Sequence, residues 1–161
     1  MALCLPIENG ESNITLSHEL THIVHFNTAN FTGNWERTIA STTLQEGLAT
    51  QVSKYIVPGK PDEKYIEHKK GWLNNCKQYR NEILEGIIPY LEDYSTEAIT
   101  KFTFGNGTTK NEREAYFAGW EIVQYLIDQG TSFKEIANIQ ENDIPNYLRK
   151  IFPMLLVNNY L

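Results

Sequence analysis

Five residues near the start of the chain carry the strongest chemical signal: His18-Glu19-Leu20-Thr21-His22. On a helix, positions i and i+4 lie one above the other, so both imidazoles can reach a single metal ion. Zinc suits such a pair, since it accepts nitrogen and oxygen donors and imposes little geometry of its own. Glu19 is turned by about 100° from His18 on an ideal helix. It therefore points beside the ion, where it can take a proton from water instead of acting as a ligand. That is the arrangement of metal-assisted hydrolysis. The plainer alternative is a solvated or core-facing histidine pair with no ligand role; the specificity of the motif and its amphipathic setting favour the metal.

A catalytic zinc site needs a third protein ligand and an open position for water. Three residues compete for that place. His25 shares the face of His18 and His22 but lies two turns beyond His18, about 10.5 Å along the axis, which is too far for one ion to bind all three easily. Glu36, beside Arg37, is explained more simply as a first-turn acid favoured by the helix dipole. Glu46 lies mid-helix in Leu44-Gln45-Glu46-Gly47-Leu48-Ala49. Small Gly47 and Ala49 beside it are expected to let this helix approach the first one closely, which makes Glu46 the preferred ligand.

Helices must hold these groups. Leu16, Leu20, Ile23 and Val24 recur at spacings of three and four, predicting a first helix over 12–26 with Ser12 or Asn13 as its cap. A second is predicted over 35–56, stopped by Val57-Pro58-Gly59. The broadest apolar stripe runs from Trp72 to Leu91. Residues 101–110, with Gly105-Asn106-Gly107, read as a flexible loop or a short hairpin turn. Helical signals resume over 111–129 and end at Gly130; Thr131 or Ser132 caps a short helix, and a last one spans about 144–156. Ala2–Ile7, with Pro6 and the turn-like Glu8-Asn9-Gly10, reads as an edge strand. The expected fold class is thus mainly α, an α+β chain with a minimal edge strand. One domain over 1–161 is expected: strand and turn over 1–10, metal-binding helices over 11–56, and a helical C-terminal part over 60–161.

The net charge of −6 argues against nucleic acid or an anionic membrane as the dominant partner. Cys4 and Cys76 have neither the number nor the spacing of a disulfide framework and read as reduced apolar residues. No apolar run approaches a membrane span. The first residues lack the pattern of a secretory signal. The localisation expected from these features is cytoplasmic; the oligomeric state is left open.

HELTHIVH followed by TLQEGLATQVS resembles the gluzincin metallopeptidases, in which a second helix supplies a glutamate to an HExxH helix. More narrowly, it is similar to an uncharacterised bacterial group of predicted zinc-dependent proteases that pairs HExxH with an EGLA segment. The likeness covers roughly 16–53, with a weaker echo at Tyr116-Phe117-Ala118-Gly119-Trp120. It implies a zincin-like catalytic domain, zinc as cofactor, His18, His22 and Glu46 as ligands, and Glu19 as general base. The chain departs from the pattern in two ways. Better-known gluzincins often carry an acid four residues after the ligand glutamate, where this chain has Thr50, so the orienting partner of a histidine must come from elsewhere or be weaker. Members also carry most of a small sheet before HExxH, and only Ala2–Ile7 stands in that place. A fragment, a natural short form and a domain completed by a partner are the readings this leaves.

The expected reaction is hydrolysis of a peptide or protein substrate, with Glu19 accepting the proton of water and passing it to the leaving amine. The oxyanion needs a donor besides zinc. Tyr116 is the first candidate, on the resemblance, and His25 the second, because it shares the metal-facing side of its helix. His68, in a charged run, reads as solvated. The competing reading is a truncated or vestigial metallopeptidase-like domain that binds a peptide or protein without cleaving it.

Overall fold

The apolar periodicities of the sequence become a set of packed helices in the computed structural model, which describes residues 12–32 and 37–157. The first helix, α1 (Ser12–Thr28), runs two residues past its predicted end. Its polar residues cost little on the inner side, because the Ser17 and Thr21 hydroxyls donate to the carbonyls of Asn13 and Ser17, at 2.8 and 2.7 Å. The second helix, α2 (Ile39–Ile56), begins four residues later than predicted. Thr38 is its N-cap, accepting the Ser41 amide at 3.1 Å. That hydroxyl satisfies a donor that the helix cannot use internally, which is why the helix starts there. Glu36 and the predicted edge strand at 2–7 lie outside the described residues.

The long stripe from Trp72 to Leu91 is not one helix. It is broken at Tyr79, whose backbone (φ −109°, ψ 25°) leaves the helical region, into α4 (Trp72–Gln78) and α5 (Arg80–Ile87). A short helix, α3 (Glu63–Ile66), precedes it. Another, α6 (Thr96–Thr103), takes over the start of the expected loop, capped by Ser95 and buried through Ala98 and Phe102. The loop behind it closes as a narrow turn, with one antiparallel bridge between Asn106 and Glu112 and a Gly107 N–H to Asn111 C=O bond of 3.0 Å. Then come α7 (Glu114–Asp128), ended near Gly130 at φ 87°, and α8 (Phe133–Ala137). Ser132 and Glu135 form a capping box on α8. The last helix is α9 (Ile144–Val157). The fold is mainly α, and no strand occurs among the described residues. Nor is any helix among them long and apolar enough to cross a membrane.

At the centre lies α2, packed between α1 and α7. Its contact with α7 is made by backbone. A Cβ built on Gly47 would sit 2.1 Å from the Gly119 carbonyl oxygen, and one on Gly119 would sit 2.1 Å from that of Thr43. The sequence reading gave the smallness of Gly47 to the approach of α1; the structure gives it to α7, because Gly47 faces the opposite side of α2. One apolar cluster surrounds this crossing, with Ile39, Leu44, Leu48, Ile122 and Phe152 fully or nearly fully buried. A second, built on Trp72, Leu73, Cys76, Ile83 and Phe117, packs under α4 and α5.

Cores tolerate added volume poorly, and backbone atoms cannot swing aside as a flexible side chain can. Gly47→Ala and Gly119→Ala are each expected to cost about 1–3 kcal/mol or more, read from urea denaturation. A midpoint equal to wild type in both variants would mean that the two helices do not meet at this distance.

Candidate metal centre

Three side chains from two helices converge where α1 crosses α2. The Nε2 atoms of His18 and His22, one turn apart on α1, are 3.0 Å from each other. Glu46, from the middle of α2, brings Oε2 to 3.3 Å from His18 Nε2 and 3.6 Å from His22 Nε2. These three atoms form a compact triangle with no other protein atom needed to complete it. A zinc ion with ligands at about 2.0–2.1 Å separates neighbouring tetrahedral donors by about 3.3 Å. The donor types and the size of the triangle therefore both fit zinc. The same three residues form a cluster of metal-ligand type whose donor atoms all lie within 4.8 Å of one another.

The second helix is held in this position by more than apolar contact. The Arg37 guanidinium lies over the rings of Phe26 and Phe31, 5.7 and 5.1 Å from their centroids. It also donates to Gln45 Oε1 at 2.8 Å, next to Glu46. In this way the end of α1 is clamped to the start of α2. Thr50 stands where the better-known pattern has an acid, but its hydroxyl donates to the carbonyls of Glu46 and Gly47 at 2.8 and 2.9 Å. It supports the helix and not a histidine.

Charge at the triangle follows from burial and pairing. Burial alone would raise the Glu46 carboxyl, yet the two imidazoles facing it outweigh that and hold it at about 2. Burial likewise lowers His22, but Glu46, with Glu19 farther off, more than compensates and leaves it raised; Arg37 opposes. The pocket thus keeps a carboxylate beside two imidazoles, the electrostatic setting that a cation would share.

His18, Glu19, His22, Glu46 and Tyr116 all line one polar cleft of about 520 Å³. Tyr116 arrives from α7, one turn before Gly119, while Glu46 adjoins Gly47 on α2. The glycine contact between these helices therefore sets the tyrosine against the glutamate. Burial, then the charge of Glu46, pushes the phenol well above its usual range. It stays a neutral O–H donor.

His25 is not brought to this cleft. It is 1% exposed, packed edge-on against Phe31 at 5.0 Å, and borders an apolar groove on another side of α1. Neither ring nitrogen has a hydrogen-bond partner among the described residues. Two turns on, its backbone lies about 10.5 Å beyond that of His18 along the helix axis, too far for the triangle, and its ring packs on Phe31 instead. His68 also differs from its solvated expectation. It lines the cleft, with Nε2 2.9 Å from Glu112 and its ring 5.0 Å from that of Trp72. Arg113 lines it as well, its guanidinium 5.2 Å from the Tyr116 ring centroid. Neither residue follows a periodic pattern, and only the turn geometry of their loops reveals them. Cys76 is fully buried, its thiol pushed up to about 12 by burial and then by Glu114, as a reduced apolar residue should be. Cys4 lies outside the described residues.

The model of a protein family described as "Predicted Zn-dependent protease (DUF2268)" matches residues 5–146. No curated protein and no solved structure gives a significant match.

Burial, helped by the charges of His22 and Arg37, lowers His25 from 6.5 to about 4. Because the folded value lies below the unfolded one, this histidine stays neutral in the fold while the unfolded chain takes up a proton first. Its contribution is complete above about pH 6.5 and is lost as the pH falls towards 4, roughly 2–3 kcal/mol in all. Denaturation of metal-free protein at pH 4 to 7 should show this loss in wild type and a flatter profile in His25→Phe. Parallel profiles would rule out a buried neutral imidazole.

Proposed function

The chain belongs to the family of predicted Zn-dependent proteases, and from that premise we propose that it is a gluzincin-like peptidase using the cleft between α1, α2 and α7. The observation that carries the proposal is the donor triangle of His18, His22 and Glu46, whose 3.0, 3.3 and 3.6 Å edges fit one zinc ion. These three residues hold the metal. Zinc, when bound, supplies a Lewis acid that polarises a carbonyl and makes water more acidic.

The remaining chemistry belongs to side chains. Glu19 lines the same cleft one residue from His18 and is too far round the helix to close the triangle. It accepts a proton from the attacking water and returns it to the leaving amine. Tyr116, held neutral, donates its hydroxyl to the oxygen that gains charge as the carbonyl becomes tetrahedral. It lines the same cleft as Glu46 and Glu19. His25, buried against Phe31, has no part in this scheme. A peptide fits a cleft of this size as an extended segment, with a few residues inside and the rest along the rim.

The test separates binding from chemistry. One zinc per wild-type chain is expected by mass spectrometry after dialysis, with His18→Ala, His22→Ala and Glu46→Ala each losing it. Glu19→Gln should keep its zinc yet hydrolyse a mixed peptide pool about 10²–10⁴-fold more slowly. Tyr116→Phe should keep zinc and lose about 10²–10³-fold. Wild type that retains no zinc would sink the proposal. Wild type that holds zinc but leaves every peptide intact would favour a domain that binds without cleaving.

A further inference from the structure

Arg113 sits in an uncommon position. It caps the N-terminus of α7 with left-handed backbone, φ 55° and ψ 38°, which a residue with a long side chain adopts only when its surroundings impose it. Both neighbours are clamped. On one side, the Glu112 carbonyl accepts the Trp72 indole N–H at 2.7 Å, and its carboxylate pairs with His68 and Lys69 at 2.9 Å each. On the other, the Glu114 carboxylate is fully buried and takes four bonds from the amides and hydroxyls of Thr108 and Thr109, at 2.7–2.9 Å. Gly107 packs so closely on that carboxylate that an added Cβ would overlap it at 2.1 Å. The arginine between them has its backbone fixed from both ends and its side chain in the cleft.

The charges lining the cleft differ in how they are engaged. Glu19 and Glu46 stand on α1 and α2, Lys64 and Glu67 line the cleft beside α3 with Glu67 accepting the Leu73 amide, and His68 is already engaged by Glu112. Arg113 forms no ion pair among the described residues; it rests on the Tyr116 ring. A guanidinium presents a planar fork of N–H donors matched to a carboxylate. In a cleft also lined by the carboxylates of Glu19, Glu46 and Glu67, an anionic substrate group gains most against the arginine.

We propose that Arg113 is a specificity-determining residue that binds a carboxylate of the substrate beside Tyr116. This rests on the peptidase reading for the identity of the substrate. The carboxylate comes either from a free peptide C-terminus or from an acidic side chain near the cleaved bond; both present the same two oxygens.

The test uses metal-free protein, so that binding is read independently of hydrolysis. Titrations followed by NMR compare three probes: acetyl-Ala-Ala with a free C-terminus, its C-terminal amide, and acetyl-Ala-Asp-Ala amide. At least one carboxylate probe should bind wild type about tenfold or more tightly than the neutral amide, and the stronger of the two identifies the source. Arg113→Gly, which suits left-handed backbone and should fold, must abolish that preference, while Arg113→Lys keeps part of it. Equal binding of all three probes to wild type, or a preference that survives in Arg113→Gly, overturns the proposal. In the zinc-loaded protein, Arg113→Gly should raise KM for the preferred carboxylate substrate with little change in kcat. Zinc-loaded protein without peptidase activity that still shows the arginine-dependent preference would reject the peptidase reading and leave the carboxylate site standing.

Discussion

The contact of Gly47 with Gly119 sets where the carboxylate and the phenol of the cleft sit. It brings α2 and α7 together at a distance only backbone can reach, and each glycine stands next to a chemically useful residue. Glu46 precedes Gly47, and Tyr116 lies one turn before Gly119. The approach of the two helices therefore sets the approach of carboxylate and phenol. Remove the glycines and the helices must part, taking the tyrosine away from the glutamate even if the rest of the core survives.

The third wall is positioned by different means. α1 is polar for much of its length, and its link to α2 is a mixed one in which Arg37 lies over two phenylalanines and reaches Gln45. That anchor fixes the angle at which His18 and His22 meet Glu46. The triangle is tight because a buried carboxylate faces two imidazole nitrogens at 3.3 and 3.6 Å. A zinc ion would be held there by the same three donors.

The turn before α7 joins the two parts of the cleft. Buried Glu114 gathers the backbone and hydroxyls of Thr108 and Thr109, so that a stretch rich in glycine and threonine becomes a fixed support. Its neighbours Glu112 and Arg113 are then presented towards His68 and Tyr116. A buried carboxylate of this kind is tolerable because every strong acceptor site on it meets a donor.

Much of this could be read from residue types and local spacing. The i, i+4 histidines had to share a face, since helix geometry leaves no other arrangement. The apolar periods of α1, α2, α7 and α9, and the Ser132 cap, marked helices because local capping and burial act within a few residues. Glu46 was preferred to His25 on axial distance, to Glu36 as a first-turn acid, and for its small neighbours; it is the acid found at the triangle, although Gly47 faces α7 and not α1. Other features depended on contacts far apart in the chain. That Gly47 faces α7, that His25 turns into Phe31, that Tyr79 breaks a continuous apolar stripe, and that His68 and Arg113 reach the cleft are all outcomes of packing. Local pattern constrains which residues share one helix face. Only the tertiary structure determines which neighbour that face meets, because that choice is made by backbone clearance and buried hydrogen bonds summed over the whole core.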